Sequence, residues 1–358
     1  MPPNGHTRER DDQGSLKSYD QPGENSTIKQ MAAASADLDR IAQRYRAFAV
    51  DEARGVSEVY ETLALEIAAS PEIVDFIASV PADRRQPNLF LAAVRHVCGV
   101  PENARHLRSL LRDEHERIRA VMSSRTTQTN EPARCSVLLP VLAQLPQPLA
   151  LLEVGASAGL CLLPDRYGYD YGGTRIEPTI ENAPIFHCAP SGAVPLPNAL
   201  PQVVWRLGLD LNPLDLFSDD QVKWLELLVW PGQEDRAEKL RAAINVACSD
   251  PPRVIKGNLL TDLKPLIATA PKDATLVIFH TAVLAYVSSR EQRDSFAAMM
   301  RRENAVWISN EAPGLFSFST AIAPPAPTRG RFLMMIDSKP VAWTSPHGQS
   351  IEWFGASD

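Results

Sequence analysis

The chain has 358 residues, of which 44% are hydrophobic and 22% charged, and its formal net charge is −7. At about 100 to 200 residues per domain this length predicts two domains of a globular protein. The acidic balance provides no broad cationic field for a phosphate backbone, so we expect no nucleic acid partner. No apolar run approaches the roughly 18 residues that cross a membrane, and residues 1–30 lack the apolar core of a secretory signal, so we expect a cytoplasmic protein without membrane contact.

The cysteines and histidines form no recognisable metal-binding or disulfide pattern. The five cysteines are widely spaced without a CxxC pair, and the seven histidines are scattered along the chain. Zinc sites and disulfide frameworks require closer or more regular spacings than these. We therefore expect reduced, mostly buried thiols and no metal.

The first part of the chain divides into a polar tail and a helical region. Residues 1–35 combine Pro, Gly, Asn, Ser and Asp with few apolar residues, which predicts a disordered tail. From Leu38 onward apolar residues recur at intervals of three and four, which predicts amphipathic helices throughout residues 36–148. The clearest later helical patterns cover residues 88–98, 104–121 and 135–145.

Beyond Pro148 the pattern changes to short, continuous apolar runs, which suit strands buried on both faces of a parallel sheet. Helical patterns separate several of them, one beginning with a capping box at Ser289 and Gln292. Residues 149–358 therefore predict an α/β fold, a Rossmann-like, mostly parallel, doubly wound sheet with an insertion at 160–202 and a C-terminal antiparallel hairpin. The predicted parallel strands are 149–154, 203–209, 253–255, 275–279 and 305–309, and the hairpin strands are 332–336 and 341–343.

The first predicted strand runs directly into Glu153-Val154-Gly155-Ala156-Ser157-Ala158-Gly159. Small residues at such a turn let the backbone approach a ligand, and nearby amides can face a carboxylate or phosphate. Without a ligand, the same residues would simply form a Gly- and Ala-rich turn. The sequence therefore predicts that a ligand-binding loop follows the first strand.

This part of the chain resembles class I S-adenosylmethionine-dependent methyltransferases, and more closely a bacterial family of uncharacterised proteins with a domain of unknown function. The close resemblance extends over nearly the whole chain from about Leu38. It rests on the strings at 127–131, 152–160, 165–167, 210–215 and 310–313. The resemblance implies a class I methyltransferase-like sheet and S-adenosylmethionine as the cofactor.

The same resemblance implies cofactor-binding roles for residues at the ends of the first three strands. Glu153 would be the acidic residue of the first motif, Asp210 would hold the ribose hydroxyls, and Asn258 would lie beside the adenine. Asp210 follows Gly159 by 51 residues, where about 20 is usual, so the insertion must loop out, or Asp170 or Glu177 takes this role. The glycine turn near the methionine part would consist of Gly155, Ser157 and Gly159.

Candidate catalytic and substrate residues follow the later strands. The resemblance implies that the segment from Phe279 to Tyr286 faces the transferred methyl group, and a histidine there, His280, can serve as a general base near neutral pH. The alternative is that His280 is a hydrogen-bonded residue at a strand end. Glu311, after the fifth strand, is either a substrate-binding carboxylate or a structural cap.

Two further polar groups are candidate substrate or lid residues. The segment containing Gln128, Asn130, Glu131 and Arg134 is either a helix N-terminus or a lid over the cofactor. Asp165 and Tyr167 either line a substrate cavity or pack inside the insertion.

We therefore predict a methyltransferase acting on a small-molecule acceptor, with an oligomeric state that the sequence does not define. One alternative is a catalytically silent ligand-binding protein of the same fold. The other is a serine hydrolase, because Gly155-x-Ser157-x-Gly159 is also a nucleophile-elbow pattern. In that case Asp210 or Asp262, with His280 or His347, would complete the triad.

Overall fold

The computed structural model describes residues 22–128, 130–318 and 323–355. Within them, the chain divides into two compact units. The first unit comprises the residues up to Phe90 together with Pro101–Ser123. The second unit comprises Leu91–Val100 together with the residues from Ser124 onward. The second unit thus begins before the boundary predicted at residue 149. The reason is that apolar residues of 135–142 pack into the same core as Leu149 and Leu151.

The region before residue 148 is helical, as the sequence predicts. Helix α1 begins at Pro22, so the structure differs over residues 22–35 from the tail predicted for 1–35, whose first 21 residues lie outside the described part. A π-helical turn, Phe48–Ala53, follows α1. The side chain of Ser57 caps α2 by accepting a hydrogen bond from the Tyr60 amide. The helices are α1 Pro22–Ala47, α2 Glu58–Ala68, α3 Pro71–Ala78, α4 Pro87–Cys98, α5 Ala104–Ser124 and α6 Cys135–Leu142.

The second unit is built on a nine-stranded, mostly parallel sheet, with the order β5-β12-β11-β10-β9-β8-β1-β6-β7. Strands β7, β6, β1, β8 and β9 are mutually parallel, and β10, β11 and β12 continue the sheet in antiparallel fashion. The five parallel strands and the final hairpin lie where the sequence predicts them. Their bounds are β1 Leu149–Val154, β6 Val203–Asp210, β7 Val254–Lys256, β8 Thr275–Thr281, β9 Val306–Glu311, β10 Phe332–Ile336, β11 Lys339–Thr344 and β12 Ser350–Trp353.

Helices cover both faces of this sheet, which explains why the central strands are mainly apolar. Every residue of β1 is buried. One face packs against α6 and α8, and the other against α9 and α10. This mixed α/β arrangement places the carboxyl ends of β1, β6, β8 and β9 along one edge. The helices of this part are α7 Asp219–Leu227, α8 Glu234–Ser249, α9 Leu263–Ile267 and α10 Arg290–Met300, and Ser289 caps α10 as predicted. No described helix has the length and apolar character needed to cross a membrane.

The insertion at 160–202 is folded and does not loop out. It forms a three-stranded sheet of order β3-β2-β4 and adds β5 to the edge of the large sheet. Tyr167, Tyr169 and Tyr171 are buried, and their hydroxyls donate to the backbone oxygens of Leu160, Pro164 and Ser136. These tyrosines therefore pack the core. The strands are β2 Gly168–Asp170, β3 Arg175–Ile176, β4 Ile185–His187 and β5 Ala189–Gly192.

Candidate functional site

The site predicted from the sequence lies at the carboxyl edge of the parallel strands, within the second unit. Strands β1, β6, β8 and β9 end at Val154, Asp210, Thr281 and Glu311. Parallel strands bring such ends together, and open α/β sheets bind their ligands in the crevice outside them. The candidate residues from four separate parts of the sequence are thus neighbours.

The glycine loop, Gly155–Gly159, bends sharply after β1. Gly155, Ser157 and Gly159 all have positive φ angles, of 75°, 53° and 75°. Such angles are easy for glycine and uncommon for serine. Ser157 therefore holds a backbone conformation that is found frequently at functional turns.

The backbone amides of the glycine loop bond to the protein itself. The amides of Gly155 and Ala156 donate to the Leu209 oxygen, and the Ser157 amide donates to Asp210 Oδ2 at 2.8 Å. The amide of Gly159 donates to the Ala156 oxygen. These four amides are therefore occupied by partners within the protein.

Close packing accounts for the two glycines. A Cβ on Gly155 would lie 2.3 Å from Cγ2 of Val283, and one on Gly159 would lie 2.8 Å from Cγ of Pro252. Both distances are far below van der Waals contact. In this conformation a protein side chain, not a ligand, fills the space beside Gly155.

Asp210 connects the second parallel strand to the glycine loop. Besides the Ser157 amide, its carboxylate accepts hydrogen bonds from the Asn212 amide at 2.7 Å and from Gln128 Nε2 at 3.1 Å. Gln128 Nε2 also donates to the Asn212 oxygen at 2.8 Å. Gln128 therefore bridges the carboxylate of Asp210 and the backbone of Asn212.

Asn130 and Glu131 fasten the segment before α6 to the same loop. Asn130 Nδ2 donates to the Ala156 oxygen at 2.8 Å, and its Oδ1 accepts from the Leu160 amide at 3.1 Å. Glu131 caps the short 3₁₀ turn that follows and forms an ion pair with Arg236, which helps to lower the pKa of Glu131 although burial opposes this. Thr129 lies outside the described residues. Glu131 thus caps a turn in this segment, and the lid over a cofactor stays a prediction.

We expect Asn130→Ala to lower the free energy of unfolding by about 2 kcal/mol, because it leaves the buried Leu160 amide without an acceptor and the Ala156 oxygen with the Gly159 amide as its remaining donor. Urea unfolding measures this, and the exposed Asn198→Ala serves as the matched control. Faster amide hydrogen exchange at residues 156–160 should accompany the loss. If the two variants were equally stable, the bridge from Asn130 would not hold the loop.

His280 and Glu311 form a closed, buried cluster with Trp307. Nδ1 of His280 lies 2.7 Å from Glu311 Oε1, and Trp307 Nε1 donates to His280 Nε2 at 3.0 Å. Because Nε2 accepts, the ring proton is on Nδ1 and is donated to Glu311. His280 has no exposed surface and no free ring nitrogen. The prediction of a catalytic base is therefore not supported, and the structural alternative describes this residue.

Glu311 also anchors the turn after β8. Its carboxylate accepts from the amides of Val283, at 2.9 Å, and Leu284, at 3.2 Å. This geometry agrees with a structural cap and leaves Glu311 2% exposed. The role of Trp307 is not visible in the sequence, since nothing in a buried apolar strand indicates that its indole N–H donates to a histidine 27 residues earlier.

Two polar atoms beside the glycine loop lack a partner. Glu153 Oε2 and Ser157 Oγ are both buried and form no hydrogen bond. Burial raises the pKa of Glu153 well above its ordinary value, with smaller contributions from Cys161 and Asp210 and an opposing one from Arg134. Buried polar groups are normally satisfied, so these two atoms indicate a place for a ligand or ordered water.

The remaining predicted residues lie apart from this cluster or are engaged elsewhere. Asp165 forms a two-point ion pair with Arg206, at 3.1 and 3.0 Å. Asn258 is exposed, and its Oδ1 accepts from the Leu260 amide. Tyr286 is 68% exposed, and its hydroxyl donates to the Thr127 oxygen. Asp165 and Tyr167 thus belong to the packed insertion and not to a substrate cavity.

Asp170 and Glu177, the alternative ribose-binding residues, also lie in the insertion, where they pair with His187 and Arg175. Asp210 is therefore the carboxylate that meets the glycine loop. In the described part of the chain, no group of three or more His, Cys, Asp and Glu side chains is placed to hold a metal ion.

Comparison with known proteins identifies the family. A family model described as "Uncharacterized protein conserved in bacteria (DUF2332)" matches residues 42–353, which is most of the chain, and the chain belongs to this family. No curated protein and no solved structure matches it.

Proposed function

For this member of the DUF2332 family, we propose that the carboxyl edge of the parallel strands binds S-adenosylmethionine and that the protein transfers its methyl group to a small-molecule acceptor. The observation that carries this proposal is the contact between the glycine loop of the first strand and Asp210 at the end of the second. Counted along the chain, the parallel strands have the order 3-2-1-4-5, which is that of doubly wound nucleotide-binding sheets.

The side chains at this edge offer groups that suit such a ligand. Asp210 is a carboxylate of the kind that binds ribose hydroxyls, and a hydroxyl pair could replace Gln128 on Oδ1. The unpartnered Glu153 Oε2 and Ser157 Oγ supply further polar contacts. Gly155 is not a contact in this conformation, because Val283 lies against it.

When bound, S-adenosylmethionine supplies a methyl group on a positively charged sulfur, which a nucleophile of the acceptor takes by displacement, leaving S-adenosylhomocysteine. Such a displacement depends mainly on positioning and on exclusion of water. The proposal therefore does not require His280 as a base. An acceptor that is already nucleophilic at neutral pH is the kind this site suits.

The second candidate function is ligand binding without catalysis, by a protein of the same fold. It is favoured by the His280–Glu311–Trp307 cluster, which leaves no histidine nitrogen free where the acceptor would lie. The geometry does not favour a hydrolase, because Ser157 Oγ has no hydrogen-bond partner and hence no base beside it.

We expect calorimetric titration with S-adenosylhomocysteine to show saturable binding that is at least about 30-fold weaker in Asp210→Ala, because hydrogen bonds to a carboxylate contribute more than neutral ones. Asp165→Ala, which removes an aspartate of the insertion that pairs with Arg206 of β6, is the matched control and should bind normally. Absence of binding to the unchanged protein at millimolar ligand would reject the proposal.

Turnover separates the two candidates. Conversion of S-adenosylmethionine to S-adenosylhomocysteine in the presence of fractionated bacterial metabolites, followed by mass spectrometry, would support the methyltransferase. Binding without turnover in every fraction would support the silent ligand-binding protein.

A further inference from the structure

Arg134 is a buried cation without an acidic partner. It is 6% exposed, and its guanidinium donates to the Pro346 oxygen at 2.8 Å and to the Thr281 oxygen at 3.2 Å. Among the described residues it forms no ion pair, whereas the part-buried Arg206 and Arg236 each pair with a carboxylate. Buried charges are normally paired, so the charge of Arg134 requires an explanation.

The surroundings of Arg134 do not neutralise it. Glu131, the nearest ionised carboxylate of its segment, is already paired with Arg236. Burial raises the pKa of Glu153, which favours its neutral form, and lowers the pKa of His347 to about 3, so that this ring is neutral as well. The cluster thus retains the positive charge of Arg134.

An unpartnered donor lies on the next strand. Thr281, which Arg134 contacts at the end of β8, is in register with Asn310 of β9. Asn310 is completely buried, and its Oδ1 accepts from Thr344 while its Nδ2 has no partner. Asn310 thus provides a neutral N–H donor one strand away from the guanidinium.

The glycine loop offers little for the binding of an anion, because four of its five amides, those of Gly155, Ala156, Ser157 and Gly159, already bond to Leu209, Asp210 and Ala156. A ligand that carries a carboxylate at this edge must therefore find other donors. Guanidinium groups bind carboxylates with favourable geometry and strength.

We propose that Arg134, assisted by the Asn310 amide, binds the carboxylate of the ligand, so that the site selects molecules with a free α-carboxylate. This inference rests on the proposed function and names the group by which the amino-acid end of S-adenosylmethionine is recognised. No covalent step is involved. Arg134 is thereby a specificity-determining residue in addition to holding the end of β8 to the loop at Pro346.

The test compares two ligands that differ only in the carboxylate: S-adenosylhomocysteine and its decarboxylated analogue. For the unchanged protein we expect calorimetry to give about 100-fold weaker binding of the analogue, which is the usual scale for a buried, charge-assisted contact. In Arg134→Gln the two ligands should bind within about threefold of each other, and Arg134→Lys should retain about a tenfold preference. A purely structural role would weaken both ligands equally and preserve their ratio.

Arg206→Gln, which removes a part-buried arginine of β6 that pairs with Asp165, is the control and should keep the full preference. The inference is overturned if the unchanged protein binds both ligands equally, or if Arg134→Gln keeps the 100-fold ratio; in both cases the proposed function stands. If Arg134→Gln does not fold, the affinities of the unchanged protein and of Arg134→Lys for the two ligands decide whether Arg134 binds the carboxylate. Binding of neither ligand to the unchanged protein would overturn the inference together with the proposed function.

Discussion

Glu311→Ala is expected to lower the free energy of unfolding by about 4 kcal/mol, the scale found when one member of a buried, hydrogen-bonded pair is removed. The substitution deprives three donors of their acceptor: the His280 ring and the amides of Val283 and Leu284. The His280 ring and the Leu284 amide cannot readily turn to water, because His280 and Leu284 have no exposed surface. Urea unfolding at neutral pH measures the loss.

Two further variants show whether the loss of stability comes from the buried contacts of Glu311. Glu311→Gln keeps one acceptor oxygen and should lose about half as much stability. Glu238→Ala, at an exposed position of α8, should change stability by less than about 0.5 kcal/mol. A Glu311→Ala protein as stable as the Glu238→Ala control would mean that the buried cluster with His280 does not form.

The second large effect concerns the pH dependence of stability at Glu153. Since burial raises its folded-state pKa well above the unfolded value, the folded protein holds a proton that the unfolded chain releases above about pH 4.5. Stability from this residue is complete below the unfolded pKa and falls as pH rises toward the folded pKa. The side chain of Glu153→Gln does not titrate, so this variant should gain stability relative to the unchanged protein as the pH rises from 5 to 7, by at most about 1.4 kcal/mol for each pH unit.

His347 acts in the opposite sense, because its folded-state pKa of about 3 lies below the unfolded value and its contribution is lost as pH falls below about 6.5. The difference between Glu153→Gln and the unchanged protein cancels the His347 effect and isolates Glu153. Chemical unfolding at pH 5 and pH 7 provides this difference, and the exposed Glu181→Gln should show none. A constant difference between the two pH values would show that Glu153 ionises as freely in the folded state as in the unfolded chain.

The central sheet is the part of the fold that the sequence predicts well. Strands such as β1 and β8 are covered on both faces, so their apolar residues form continuous runs that stand out from the flanking segments. Edge strand β5, Ala189–Gly192, is largely exposed and carries no such run. It was therefore missed, as was the small sheet inside the insertion, whose strands have at most three residues.

The candidate site was predicted in position but not in its internal bonding. Asp210 was correctly placed at the end of a second parallel strand, because its strand has the apolar pattern of a buried one. The roles of His280 and the glycine loop depend on partners far away in the chain, namely Trp307, Glu311 and Leu209. Local patterns do not contain such pairings, and only the folded chain shows that these groups are already occupied.

A crystal structure of the protein with S-adenosylhomocysteine would test directly whether the carboxyl edge of the parallel strands binds this ligand. We expect ligand density at the carboxyl edge of β1 and β6, with the ribose hydroxyls against Asp210 in place of Gln128 and the ligand carboxylate against Arg134. A ligand bound elsewhere, or with the Asp210–Gln128 contact intact and the loop unaltered, would contradict it.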